Sequence, residues 1–379
     1  MVKTPKKICF VITAEFVVKA FLLDHLRTLS KLYDVTVIVN TKNANFLEEE
    51  GIDVKVWPLL MAREVSLVSD FSSLAQLTKI FYQEDFVAVH SITPKAGLLA
   101  MLAAWMLRVP LRIHTFTGQV WVTKVGFKRL LLKQIDCLMA SLTTHNLVDS
   151  PSQRQFLLDE QVISPNKSTV FAHGSISGVD IGRFKPDQEA KNSIRKQLNI
   201  SSEATIFLFI GRLTRDKGVL DLAIAFNSII AGDAHLFFVG PDEQNMQIEI
   251  KHLMGSRSEY MHFIGHTDEP EFYMAAADVL CLPSYREGFG TVVIEAAAIG
   301  VPAIASRIYG ITDAVVDGKT GLLHEPHDVN AIKSCMQNMM NNRALRLKLG
   351  EQARVRVVKE FNSKAMTQEW VNFYRKNIH

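Results

Sequence analysis

Short β-rich apolar runs alternate with amphipathic helical stretches along this chain, and the alternation occurs twice. No other feature constrains the fold as much, because parallel strands joined by helical crossovers are what such a pattern permits. In the first series the strand candidates are residues 7–12, 35–39, 54–57, 87–90 and 112–115, with helices expected over 16–32, 72–83, 96–107 and 126–138. The second series starts at 205–210 and continues through 235–239, 261–264, 279–282 and 303–305. Two series in tandem predict an α/β protein of two Rossmann-like domains facing each other across a cleft. Their join is expected near residues 174–202, where Pro186 and several polar residues interrupt the pattern. The 379 residues are enough for two such domains, each with its own core.

A content of 48% hydrophobic and 21% charged residues is globular rather than disordered. Cys9, Cys137, Cys281 and Cys335 lie far apart and form no Cys-x-x-Cys, which points to thiols in a reducing cytoplasm rather than to structural zinc. The apolar run 8–12 is too short for a secretory core. The longest apolar stretch, 96–107, falls short of the roughly 20 residues that span a bilayer. Net charge is only +3, and no nucleic-acid partner is expected, but the charge is unevenly placed. Between residues 86 and 135 there is no Asp or Glu, while Lys95, Arg108, Arg112, Lys124, Lys128, Arg129 and Lys133 all fall there. A solvated basic face would explain this. The functional alternative is attraction to an anionic membrane surface or a phosphorylated acceptor.

The chemistry concentrates in two segments. An apolar run ending at Pro283 leads into Ser284-Tyr285-Arg286-Glu287-Gly288-Phe289-Gly290 and then a helix from Thr291 through Glu295. Strand, glycine-punctuated loop and helix leave free N–H groups and a positive dipole end facing an anion. The two carboxylates, Glu287 in the loop and Glu295 about one turn into the helix, suit hydroxyls instead. Phosphate at one end and hydroxyls at the other describe a nucleotide sugar. The second segment, Gly211-Arg212-Leu213-Thr214-Arg215-Asp216-Lys217-Gly218, directly follows the strand 205–210. Arg212 offers a planar fork of donors and Lys217 a point charge, and both suit a diphosphate. Alone, the first segment could be a solvated acidic helix and the second a basic turn.

Together the Glu287-x7-Glu295 spacing and the Gly211–Gly218 loop resemble the signatures of retaining GT-B glycosyltransferases of family 4. The resemblance extends over nearly the whole chain. It includes Ser177-Gly178-Val179-Asp180 with Phe184 and Pro186, and the glycine turn Asp317-Gly318-Lys319-Thr320-Gly321. The segment His90-Ser91-Ile92-Thr93-Pro94-Lys95-Ala96-Gly97 is similar to that of members that build capsule, O-antigen or related glycans on a lipid carrier. The resemblance implies an acceptor-binding domain over 1–180, a nucleotide-sugar-binding domain over 181–355, and a helix over 356–379 that packs back on the first. It implies donor contacts from Arg212, Lys217, Glu287, Gly288, Phe289, Gly290, Thr291 and Glu295, and a catalytic site that includes Glu287 and His114, the latter near the transferred sugar. Two departures stand out. Thr13-Ala14-Glu15-Phe16 replaces the glycine-rich loop that many relatives carry after the first strand, and Pro241 replaces a small residue. The chain has no Asp-x-Asp triplet, so positive side chains and a helix end are expected to replace a metal ion, with no cofactor.

The expected reaction moves a hexose or N-acetylhexosamine, with retention, from a nucleotide diphosphate sugar, UDP-linked, to a polyprenyl-pyrophosphate-linked sugar. Residues 121–133 interleave aromatic and aliphatic side chains with Lys124, Lys128, Arg129 and Lys133. That composition suits a segment lying on the inner leaflet, with Lys95 near the acceptor pyrophosphate. A cytoplasmic enzyme peripherally bound to the inner membrane is the resulting expectation. The same fold could instead act on a soluble acceptor, or as a nucleotide-sugar 2-epimerase. A dehydrogenase is disfavoured because no Gly-x-Gly-x-x-Gly follows a strand and opens a helix. A non-catalytic binding module leaves the reaction residues unexplained.

Overall fold

All the strand pairings run parallel, as the repeated strand–helix alternation requires. The computed structural model describes residues 5–61, 67–229 and 233–378. The chain divides into two units, Met1–Ser177 with Ser363–His379, and Gly178–Asn362.

The first unit carries β1 (Lys7–Ile12), β2 (Asp34–Val39), β3 (Lys55–Pro58), β4 (Ala88–Ser91), β5 (Leu111–Phe116), β6 (His145–Val148) and β7 (Ser168–Thr169), in the order β3-β2-β1-β4-β5-β6-β7. The strand order reverses between β1 and β4, the place where open α/β sheets bind ligands. The period-2 alternation of β1 feeds two cores. Cys9 and Val11 join the cluster with helix Pro94–Met106, while Ile8, Phe10 and Ile12 join the one with Trp370 and Tyr374. β6 and β7 were not expected, because Thr143, Thr144, His145 and Asn146 dilute the apolar signal. The single helix expected over 16–32 is two, Glu15–Phe21 and Leu23–Leu29, kinked at Leu22, where φ widens to −119° while Leu22 N still bonds Val18 O and Leu26 N bonds Leu22 O. Among the described residues no helix is long and apolar enough to cross a membrane, and the four cysteines are free.

The second unit carries β8 (Thr205–Ile210), β9 (Ala234–Val239), β10 (Met261–Gly265), β11 (Val279–Leu282), β12 (Ala303–Ser306) and β13 (Gly321–His324), in the order β10-β9-β8-β11-β12-β13. Its reversal falls between β8 and β11, with Phe207 opposite Val279 and Leu208 opposite Leu280. Helices cover both faces, so β8 and β11 are near-continuous apolar runs, as sheets buried on both sides demand.

The C-terminal helix Ser363–Asn377 belongs to the first unit and is held by a stack of rings. Trp370 lies between His25 and His90, with ring centroids at 4.4 and 4.9 Å. His25 Nε2 faces the Ile176 carbonyl at 2.8 Å, so that nitrogen carries the proton and Nδ1 accepts from the Thr367 hydroxyl at 2.9 Å. His90 bridges the Tyr374 and Thr115 hydroxyls at 2.8 and 2.7 Å. Burial lowers the His25 pKa to about 4 and that of His90 well below the ordinary value, so both rings are neutral in the fold.

Below the ordinary histidine pKa of 6.5 the unfolded chain takes up protons at these positions and the native chain does not. Stability is therefore complete above that pH and is lost as pH falls toward 4. His25 alone accounts for a loss on the order of 2 kcal/mol near pH 5. Urea unfolding followed by tryptophan fluorescence is expected to give a lower midpoint at about pH 5 than at about pH 7.5, with a smaller drop in His25→Gln. A midpoint indifferent to pH would mean the stack is not neutral.

Candidate functional site

Two loops of the second unit meet at the carboxyl ends of β8 and β11. The first makes a tight turn over Arg215–Lys217 and enters helix Val219–Asn227 through Gly218, whose φ is +68°. Gly218 passes so close to the other loop that a Cβ there would overlap the Pro283 carbonyl oxygen. Only glycine meets both requirements. The loops are then cross-tied. Tyr285 N donates to Asp216 O at 2.9 Å, and Arg286 Nη2 lies 3.0 Å from Asp216 Oδ2. Lys217 Nζ lies 2.5 Å from Glu287 Oε1, which also accepts from Ser284 Oγ at 2.8 Å. Farther back, the Tyr285 hydroxyl donates to Asp221 at 2.7 Å and its ring packs on His327.

The second loop ends at Gly290, φ +80°, which starts helix Thr291–Ile299 and aims the amides of its first turn along the carboxyl edge of the sheet. A site that joins Lys217, Glu287 and this helix end can meet an anion and hydroxyls together. Glu295 sits one turn in and is partly covered, and burial pushes its carboxyl up to about 7. Arg183 opposes that shift and Glu271 adds to it. Arg183 itself is clamped on Glu271 at 2.8 and 2.9 Å.

Other expected site residues are placed differently. Arg212 does not lie against Lys217's partner but pairs with Glu243, from the loop after β9, at 2.7 Å. Phe289 is fully buried and packs against Phe361 at 5.3 Å, so it supports the loop from the core side. The Gly288 carbonyl lies close beneath Gly310, and Thr291 is partly exposed as the first residue of its helix. Sequence reasoning missed Arg183, Glu243 and the Asp216–Arg286 tie. Neighbouring opposite charges, Asp216-Lys217 and Arg286-Glu287, were the one available signal for the tie.

In the first unit His114, on β5, is only 1% exposed. Its Nδ1 lies 2.9 Å from Ser91 Oγ and its ring meets Phe116 edge-on. A side chain on Gly97 would overlap that ring. Burial lowers its pKa to about 3, so the imidazole is neutral at physiological pH. Lys95 is held by Asp70 at 2.6 Å. The acid-free stretch is not acid-free in space, since Glu160 meets both Lys133, at 2.5 Å, and Arg129, at 3.0 Å. Trp121 does not face outward as a surface aromatic would. It is buried and donates to Asp136 at 2.8 Å, because a buried indole N–H needs an acceptor. Val122 and Leu132 pack partly on the core, while Val125 at 87%, Phe127 at 76%, Leu130 and Leu131 are exposed. Among the described residues no three His, Cys, Asp or Glu side chains gather as a metal-holding group.

Residues 20–174 match the glycosyl transferase 4-like domain, and residues 190–356 match glycosyl transferases group 1. A capsular polysaccharide biosynthesis glycosyltransferase of Staphylococcus aureus, CapM, is 31% identical over 318 residues, 83% of each chain. A UDP-Gal:alpha-D-GlcNAc-diphosphoundecaprenol alpha-1,3-galactosyltransferase of Escherichia coli is 26% identical over 80% of this chain and 78% of its own. Among solved structures, Anabaena HepE in complex with UDP and glucose has a TM-score of 0.83 at 16% identity, over 98% of this chain and 100% of that one, and so shares the fold.

The Glu295 environment is open to direct measurement. Carbon-detected titration of labelled glutamates is expected to show one carboxyl titrating near 7. Arg183→Gln removes an opposing positive charge and should move that titration higher. If every glutamate titrates in the ordinary range, the carboxylate is more solvated than this geometry shows.

Proposed function

The chain belongs to the GT-B glycosyltransferases of family 4, and on that premise we propose the particular transfer it performs. A hexose or N-acetylhexosamine leaves a nucleoside diphosphate, UDP in this reading, and joins a sugar carried on a polyprenyl pyrophosphate, with its anomeric configuration retained. The observation that carries the donor half is the Lys217–Glu287 pair, just ahead of a helix N-terminus, at the carboxyl ends of the paired strands β8 and β11. Lys217, Arg212 and the first-turn amides at Gly290 and Thr291 hold the diphosphate. Glu287 accepts from hydroxyls of the transferred sugar and Glu295 from the ribose. The UDP in the HepE complex supports the choice of nucleotide. UDP-Gal and the diphosphoundecaprenol acceptor of the Escherichia coli relative support the choice of both partners.

Retention follows from departure and attack on one face. The anomeric carbon–oxygen bond to the phosphate breaks, and the acceptor oxygen bonds to the same face. Its proton passes to the departing phosphate. The ammonium of Lys217 and the helix end stabilise the charge that develops on that phosphate. In this scheme His114 lies beside the transferred sugar as a neutral imidazole that orients a hydroxyl, since a group with a pKa of about 3 is not a general acid at neutral pH. Access to it would require the packing around Ser91 and Gly97 to open. No metal is part of the scheme, so transfer should survive EDTA.

Screening nucleotide sugars with and without polyprenyl-pyrophosphate acceptors tests the reading. Lys217→Ala removes a charge-assisted contact of roughly 1.5–3 kcal/mol, so turnover should fall about ten- to a hundredfold. Inverted product would refute the same-face mechanism, and transfer only to soluble sugars would replace the acceptor half of the proposal. Epimer without transfer would replace all of it.

The acceptor half also places the first unit on an anionic membrane surface. Exposed Val125, Phe127, Leu130 and Leu131 would enter the interface, with Lys124 and Lys128 at the head groups. Arg129 and Lys133 contribute less while Glu160 holds them. Lys95 meets the acceptor pyrophosphate only by leaving Asp70. With about 1 kcal/mol per basic residue, binding is reversible and salt-sensitive. Sedimentation with phosphatidylglycerol liposomes should capture the protein at low salt and release it at high salt. Lys124→Glu with Lys128→Glu should weaken capture, and Phe127→Ser should weaken it further. Equal sedimentation of all variants would end the membrane reading.

A further inference from the structure

Lys217 and Glu287 hold each other in the fold. Nζ and Oε1 are 2.5 Å apart, and the side chains are 16% and 13% exposed. The donor reading gives Lys217 to the diphosphate and Glu287 to the sugar hydroxyls, and while the pair is closed each offers a ligand only part of its charge and hydrogen-bonding capacity. A diphosphate and Glu287 therefore draw on the same ammonium. We propose that Glu287 competes with the diphosphate for Lys217, so that a nucleoside diphosphate bearing a sugar is retained in preference to the bare nucleoside diphosphate left after transfer. This inference rests on the donor reading given above.

The physical argument is one of partners gained and lost. A sugar donor gives both ions new partners, since its phosphates meet Lys217 and its hydroxyls donate to Glu287. Bare nucleoside diphosphate takes Lys217 and leaves a mostly covered carboxylate beside a second anion. An ion that is covered and loses its counter-ion is destabilised by much more than an exposed one. Return of Lys217 to Glu287 removes that penalty and displaces the product.

The neighbouring residues allow the pair to open without the loops separating. Asp216 and Lys217 are adjacent on one loop, and Arg286 and Glu287 are adjacent on the other. Charges on the two loops thus face each other in complementary order. The Asp216–Arg286 tie and the Tyr285 N to Asp216 O bond hold the loop spacing while the second pair exchanges partners. Ser284 Oγ keeps the Glu287 carboxylate oriented for re-pairing.

Calorimetric titration of the full chain with uridine, guanosine and adenosine diphosphates tests this, using whichever the parent binds. Glu287→Gln keeps the side-chain shape and removes the competing charge. It should bind the bare diphosphate about fivefold or more tightly than the parent, and inhibition by that product should deepen correspondingly. Lys217→Met should weaken binding, and adding Glu287→Gln to it should tighten binding less than the same change does in the parent. Glu287→Asp, which keeps the charge but shortens its reach to Lys217, provides the same comparison if the Gln variant unfolds. If the parent binds a diphosphate through Lys217 but Glu287→Gln binds it no more tightly, the competition is disproved and the donor reading stands. If no diphosphate binds, or Lys217→Met binds as well as the parent, the donor reading fails and takes this inference with it.

Discussion

The pairing of β11 with β8 is the constraint on which the candidate site depends. These strands are separated by two other strands in the chain yet lie side by side in the sheet, with Leu208 opposite Leu280. In a parallel sheet every strand delivers its following loop to the same edge, and at the reversal of order no crossover covers the gap. The loops 211–218 and 283–290 therefore meet there. Their approach is close enough that Gly218 has no room for a side chain. The apolar runs that bury both strands make the site possible, because they fix two loops at a separation that flexible segments could not hold.

The charges in that place are largely compensated within the fold. Asp216 meets Arg286, Lys217 meets Glu287, and Arg212 meets Glu243. Partial burial makes this necessary, since a covered ion without a partner costs several kcal/mol. Glu295 differs in kind, because burial outweighs the help of Arg183 and raises its carboxyl to about 7. A ribose that donates to the ionised form would then bind more weakly as pH falls below that value.

The first unit shows the same economy of polar groups in its interior. His25, His90 and His114 are all buried and neutral, each with a hydroxyl or carbonyl partner. Two of them sandwich Trp370 and so fix the C-terminal helix, which makes that helix part of the fold of this unit rather than a tail. At the surface the balance is different. Several large apolar side chains near the start of helix Gly126–Leu142 stay exposed beside Lys124 and Lys128. A scattered exposed residue needs no explanation, but a run of them does.

Periodicity by itself determined the architecture. Alternating strand and helix signals allow little but parallel sheets, and turn glycines mark where each strand ends. The residues of the two chemical segments were legible for the same reason, since strand, loop and helix follow one another locally. What tertiary structure alone decided was pairing. No spacing shows that Lys217 meets Glu287, that Arg212 turns to Glu243, or that Glu160 and Asp70 neutralise a stretch without acids. Nor could it show that Phe289, Trp121 and His114 are core residues, or that the expected helix over 16–32 kinks at Leu22. Local patterns report what a residue does to its own backbone. Ion pairs and burial depend on which distant segments the sheet order brings together, and that order is a property of the folded chain.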